Sequence, residues 1–111
     1  MKYVQFFFYN NLLDINLLNK ISENIKIIPS YILVDHYNKE NNLLIISNKD
    51  SINKKILKGL LVQFDITLSE VLQKILELDK TNHKQNYNLD TVNVNIHKDE
   101  TTTAYIIYRK E

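Results

Sequence analysis

The sequence predicts one α+β domain, mostly β, in which about six or seven strands curl into a small barrel with two helices against it. Three observations predict this. Thr67-Leu68-Ser69-Glu70 has the form of a capping box at a helix start. Leu68, Val71, Leu72, Ile75 and Leu76 then recur at helical spacing and make one apolar face. Val92, Val94 and Ile96 alternate with Asn93, Asn95 and His97, the period of a half-buried strand, ahead of a closing strand from Thr102 to Tyr108.

The remaining elements follow in chain order. Tyr3 to Tyr9 is aromatic and β-branched with no breaker, which predicts a buried strand. Asn10-Asn11 break it, and Asp14 N-caps a short helix through Ile15 to Ser22 with Leu17, Leu18 and Ile21 on one face. Ile25 to Ile28 forms a short strand that Pro29 stops. Tyr31 to Tyr37 and Leu43 to Ser47 form a hairpin around the polar turn at 38–42. A polar loop, Lys49 to Lys55, leads to a long strand from Ile56 to Asp65. Within that strand the only glycine, Gly59, marks a bulge or a close backbone approach.

Length and composition bound the rest. The 111 residues fit one domain, 1–111, with room for a real core. Fourteen basic and thirteen acidic residues are interspersed at net charge +1, so no electrostatic footprint for nucleic acid is visible. The absence of cysteine excludes a disulfide framework and thiol chemistry, and leans to the cytosol. No apolar run approaches the roughly 20 residues of a membrane span. The aromatic start is too short for a signal peptide and lacks a small-residue cleavage site. Asn, Ile and Lys dominate, and thirteen of the fourteen basic residues are Lys. Such usage points to an AT-rich genome: a giant DNA virus, a protist or a low-GC bacterium. His36, His83 and His97 lack ligand spacing, so no metal site is expected. Asp90, Asp99 and Glu100 read as ordinary strand-edge and turn charges.

Element order adds a family resemblance. The residues that carry it are Phe6-Phe7-Phe8-Tyr9-Asn10-Asn11-Leu12, Leu57-Lys58-Gly59-Leu60-Leu61-Val62, Leu78-Asp79-Lys80-Thr81-Asn82, Tyr87 and Ala104-Tyr105-Ile106-Ile107-Tyr108. In that order they resemble the gamma-glutamylcyclotransferase-like family throughout the chain. Its counterparts are a strand into a Tyr-Gly-Ser/Thr-Leu loop, a glycine strand, a Leu-Asp-x-x-Glu turn, a Tyr that opens the next strand, and a last strand. The resemblance implies a mixed barrel with a ligand pocket at one end, formed by Tyr9, Asn10, Asn11, Leu12, Asn82 and Tyr87. In active relatives the pocket releases 5-oxoproline from a gamma-glutamyl amine or peptide, without metal or cofactor.

That reaction needs a carboxylate beside the substrate amine, to take one proton and return one to the leaving amine, a contribution of roughly 10²–10⁴ in rate. It also needs bare backbone N–H donors for the substrate carboxylate, which glycine allows. Asn82 stands where the family has the glutamate and does not titrate near neutral pH. Asn10 stands where the family has glycine. Asp79 is structural in the family, and Glu77 falls on the last helical turn, facing solvent. The expectation is therefore a non-catalytic relative with a binding or structural role, cytoplasmic, or in the host cytoplasm or virion if the gene is viral. Its partner is a small gamma-glutamyl-like ligand or a protein, and the chain is a monomer or homodimer. The alternatives are an active gamma-glutamylcyclotransferase and a generic interaction barrel.

Overall fold

A computed structural model describes residues 3–9, 15–38, 40, 43–78, 88–97 and 99–108, without the side chains of 15–17 and 76–78. Its elements are β1 (Val4–Phe8), α1 (Ile15–Ile21), β2 (Ile25–Asn38), β3 (Leu43–Ile46), β4 (Lys55–Phe64), α2 (Leu68–Leu78), β5 (Asn88–His97) and β6 (Glu100–Tyr108). The strands order as β3-β2-β4-β1-β6-β5, and β5 returns to β2, so five strands close a barrel with β3 appended to β2. All pairs are antiparallel except β1 with β6, where Phe6 lies opposite Tyr105. The closing bridge is Tyr31 opposite Asn95, and the Asn95 amide leans on the Tyr31 carbonyl at 3.5 Å.

Period-two alternation sorts side chains into two cores. Phe7, Ile32, Val34, Leu61, Val92, Val94, Ala104, Ile106 and Tyr108 fill the barrel. Phe6, Phe8, Val62 and Phe64 face outward and meet Leu18 and Ile21 of α1 and Val71 and Ile75 of α2. Phe6 stacks on Phe8 at 5.9 Å and meets Phe64 edge-on at 6.1 Å. Thus β1 is buried on both faces, and its three phenylalanines contribute about 1.5–3 kcal/mol each by area alone.

Several local expectations hold, and others need correction. Gly59 marks a close approach: a Cβ there would lie 2.3 Å from the Phe8 carbonyl oxygen and 2.6 Å from the Phe7 ring. Pro29 does not stop a strand, because β2 runs through it with Pro29 opposite Leu60. On the side of β2 away from β4, pairing among the described residues begins only at Tyr31, so Pro29 has a ladder neighbour on one side alone. Two expected strands are therefore one. The terminal hairpin is longer than expected, starting at Asn88 and resuming at Glu100. At the capping box the Glu70 N–H donates to Thr67 Oγ1 (3.2 Å), but the Glu70 carboxylate accepts from the Thr67 hydroxyl (3.0 Å) rather than from the Thr67 N–H, as a reciprocal capping box would have it. The Asp14 cap lies outside the described residues.

Polar contacts join the two helices to each other and the end of α1 to the barrel. Lys74 Nζ on α2 donates to the Ile21 carbonyl at the C-terminus of α1 (2.9 Å), where a cation is favoured. Asp65, just past β4, accepts from the Ser22 hydroxyl (2.7 Å) and the Asn24 side-chain amide (3.2 Å). These two donors, Ser22 foremost, hold the Asp65 carboxyl below the usual carboxylate range.

Two predictions follow from this packing. Gly59→Ala forces a Cβ into backbone, so it destabilises by about 3 kcal/mol or more in urea unfolding, the upper end of overpacking. Lys58→Ala next to it, exposed, stays within about 0.5 kcal/mol. Asp65→Asn turns an amide toward the Asn24 donor and is less stable than wild type at neutral pH. Because the folded pKa is depressed, the Asp65 contribution is complete above the ordinary value of 3.8 and is lost as pH falls through the folded one. The gap in melting temperature between the two proteins narrows over that acid range.

Candidate functional site

The two barrel ends differ in chemistry. At the end where β1 starts, Gln5, Gln63 and Thr102 share the inward parity of Phe7, Leu61 and Ala104. Gln5 Nε2 donates to Thr102 Oγ1 (3.1 Å) and to the Thr103 carbonyl (3.0 Å), while Gln63 Nε2 donates to Gln5 Oε1 (2.8 Å). This chain of amides lies across that end.

The other end is aromatic. Tyr9 follows β1, its ring stacked with Phe7 at 6.4 Å and edge-on to Tyr37 at 5.5 Å. Tyr37 reaches this position because β2 bulges between Val34 and His36: Val34 pairs with Ile46, His36 with Ile45 and Tyr37 with Leu44. The inserted residue, Asp35, flips the parity, sending His36 out and Tyr37 in. Burial raises the Tyr37 phenol. The parallel register carries Tyr9 to the level of Tyr108, three residues past the Phe6–Tyr105 pair on each strand. Opposite Tyr108 is Asn88, the first residue of β5.

Of the expected pocket residues, Tyr9 alone is described. Asn10, Asn11, Leu12, Asn82 and Tyr87 lie outside the described residues, as does Asp79, and the side chain of Glu77 is likewise outside them. One residue that sequence reasoning passed over belongs at this end. The Tyr108 hydroxyl donates to Asp90 Oδ2 in a short hydrogen bond. Asp90, exposed at the edge of β5, is therefore also a carboxylate anchored at the Tyr9 end. The available signal was its position two residues before Val92, which gives it inward parity. Burial foremost, then the Asp90 hydrogen bond and charge, pushes the Tyr108 phenol up to about 12. Tyr108 is thus a persistent donor and no base.

Outside the barrel a cleft of about 630 Å³ opens between the 47–54 loop and the outer face of the β5–β6 hairpin. Lys49 and Lys54 stand on the loop wall; Asn93, Asn95, Thr101 and Thr103 stand on the hairpin wall. The bulge braces the loop: Asp35 Oδ1 accepts from Ser47 Oγ (2.8 Å) and Oδ2 from Ser51 Oγ (2.9 Å). The Asn48 N–H donates to Ser51 Oγ (2.9 Å) and the Asp50 N–H to Asn48 Oδ1 (2.8 Å). Among the described residues no group of His, Cys, Asp and Glu is placed to hold a metal ion, and no helix is long and apolar enough to cross a membrane.

Comparison with family models, curated proteins and solved structures finds no match. The candidate site therefore stands on geometry and on the sequence resemblance.

Among the seven tyrosines, Tyr108 is expected to give a late phase in an ultraviolet phenolate titration, toward the value of about 12. Tyr108→Phe removes that phase, and Asp90→Asn lowers its midpoint only in part, since burial is the larger cause. A pKa raised in the folded state stabilises fully below the ordinary 10.0, and that contribution disappears as pH climbs to about 12.

Proposed function

We propose that the chain is a gamma-glutamylcyclotransferase-like protein that has lost the family reaction and acts through binding or as a structural component, in the host cytoplasm or virion if its gene is viral. What supports the reading is the sequence of elements. A strand followed by Tyr9, a run of strands, a glycine strand, the helix α2 and a terminal hairpin come in the order the resemblance implies, with α1 between the first strand and the run. Gly59 of the glycine strand abuts the carbonyl of Phe8, next to Tyr9.

The observation that carries the loss of activity is Asn82 in the place of a glutamate. Cyclisation requires a group that accepts a proton from the attacking amine and returns one to the leaving amine, and a carboxamide does neither at neutral pH. Asn10 adds a side chain where the family presents bare backbone to the substrate carboxylate. Without general acid–base catalysis the barrier rises by about 3–5 kcal/mol. A gamma-glutamyl-like ligand or a protein partner is then held rather than turned over.

A second reading, an active cyclotransferase, draws on Asp90. It is a carboxylate at the Tyr9 end of the barrel, oriented by Tyr108, and supplies the proton carrier that Asn82 lacks.

The purified protein, incubated with gamma-glutamyl peptides, is expected to release no 5-oxoproline at a rate approaching roughly 1 s⁻¹. Asn82→Glu combined with Asn10→Gly is expected to recover part of the activity. Wild-type turnover at ordinary enzyme rates overturns the reading, and its abolition by Asp90→Asn then assigns the chemistry to the second.

A further inference from the structure

We propose that the cleft between the 47–54 loop and the β5–β6 hairpin is a docking site for an extended acidic peptide segment, which adds as a strand to the free edge of β5. The inference is independent of the Tyr9 end of the barrel and joins two observations.

The first is the edge. On one side β5 pairs with β6 along its length. On the other, among the described residues, it pairs only at Asn95, opposite Tyr31. From Asn88 to Val94 that side carries no ladder partner among them, because β3 occupies the facing side of β2 from Val34 onward. Free edges invite an added strand, and proteins protect them with Lys, Pro or bulges. The segment Thr91-Val92-Asn93-Val94 has no such device, and its β-branched residues favour extended pairing.

The second is charge. The cleft that borders this edge is lined by Lys49 and Lys54 and by amides and hydroxyls, and no acidic residue is among its described lining. Asp50 lies on the same loop between the two lysines but is not among the cleft's described lining, and Asp35 has both oxygens engaged by Ser47 and Ser51, which fix the loop. The described lining is therefore pre-organised, and its charge is that of the two lysines. Leu33, Ile46 and Val92 give the cleft an apolar element for alternate side chains of a strand. No aromatic ring is among its described lining, so the described walls offer no platform for stacking of a nucleobase or a sugar face. Main-chain pairing along β5 with acidic side chains toward Lys49 and Lys54 satisfies both observations.

The test uses the full chain and a synthetic peptide of about ten alternating Glu and Val residues, longer than a common strand, with a Lys–Val peptide and inorganic pyrophosphate as competitors. The Glu–Val peptide is expected to bind and to slow amide exchange within Thr91–Val94. Binding should weaken with added salt, and by roughly tenfold in Lys49→Glu/Lys54→Glu, whose folding is checked by its unchanged melting temperature. Equal binding of the Lys–Val peptide, or no binding of either, overturns the proposal. So does pyrophosphate binding of equal strength without protection of those amides, which marks a small-anion site. Protection of the same amides by self-association, without peptide, assigns the edge to a second copy and likewise overturns it.

Discussion

The whole architecture depends on burying both faces of a single short strand. Phe6, Phe7 and Phe8 are consecutive, so alternation sends one ring into the barrel and two outward. Neither face can meet water without losing several kcal/mol. The inner face is satisfied by closing β4, β2, β5 and β6 around Phe7. The outer face needs a second layer, which is why α1 and α2 lie over β1 and β4 and why Lys74 ties them together. Gly59 belongs to the same constraint: β4 passes so close to Phe8 that only a residue without a side chain fits, and the register sets small Ser30 opposite it.

One inserted residue, Asp35, links the aromatic end of the barrel to the cleft beside the 47–54 loop. Without the bulge, strict alternation would put His36 into the barrel and Tyr37 outside. With it, Tyr37 meets Tyr9 at the aromatic end, and the Asp35 carboxylate is turned toward the 47–51 loop, where two serine hydroxyls saturate it. The same irregularity thus supplies an aromatic wall inside and a rigid loop outside.

How legible this was in the sequence depends on the range of the interactions. The capped helix α2, the alternating β5, the glycine approach and the hairpin of β2 and β3 are local patterns, and each was read to within a few residues. The capping-box carboxylate differed in partner, since hydroxyl and amide lie together at a helix start. Pro29 misled because proline's exclusion from strands is a rule about ladder bonds, and whether a bond is needed depends on which side of the strand has a neighbour. The bulge at Asp35 left no mark at all: nothing local distinguishes Asp35 from a residue in register, and only the partner strand reveals the extra position. Asp90 was missed for a related reason. Its parity was readable, but its partner, Tyr108, lies 18 residues away across the hairpin. Of the proposed ligand end, Tyr9 took its expected place at a strand end, whereas its neighbours Tyr37 and Tyr108 came from pairings that no local pattern announces.

The parallel pairing of β1 with β6 has a consequence for how the chain is made. Gln5 and Thr102, 97 positions apart, hydrogen-bond to each other in the finished barrel. Ribosomes add roughly 5–20 residues per second, so β1 emerges on the order of 5–20 s before the strand that completes its sheet. Through that interval β4 can cover one edge once it is made, while the other edge of a triple-phenylalanine strand waits open. Domains dominated by such distant pairings fold over milliseconds to seconds, so synthesis rather than the folding reaction limits closure. The nascent chain is in that window an aggregation hazard, and its yield in cells depends on what shields Phe6 to Phe8 until β6 arrives.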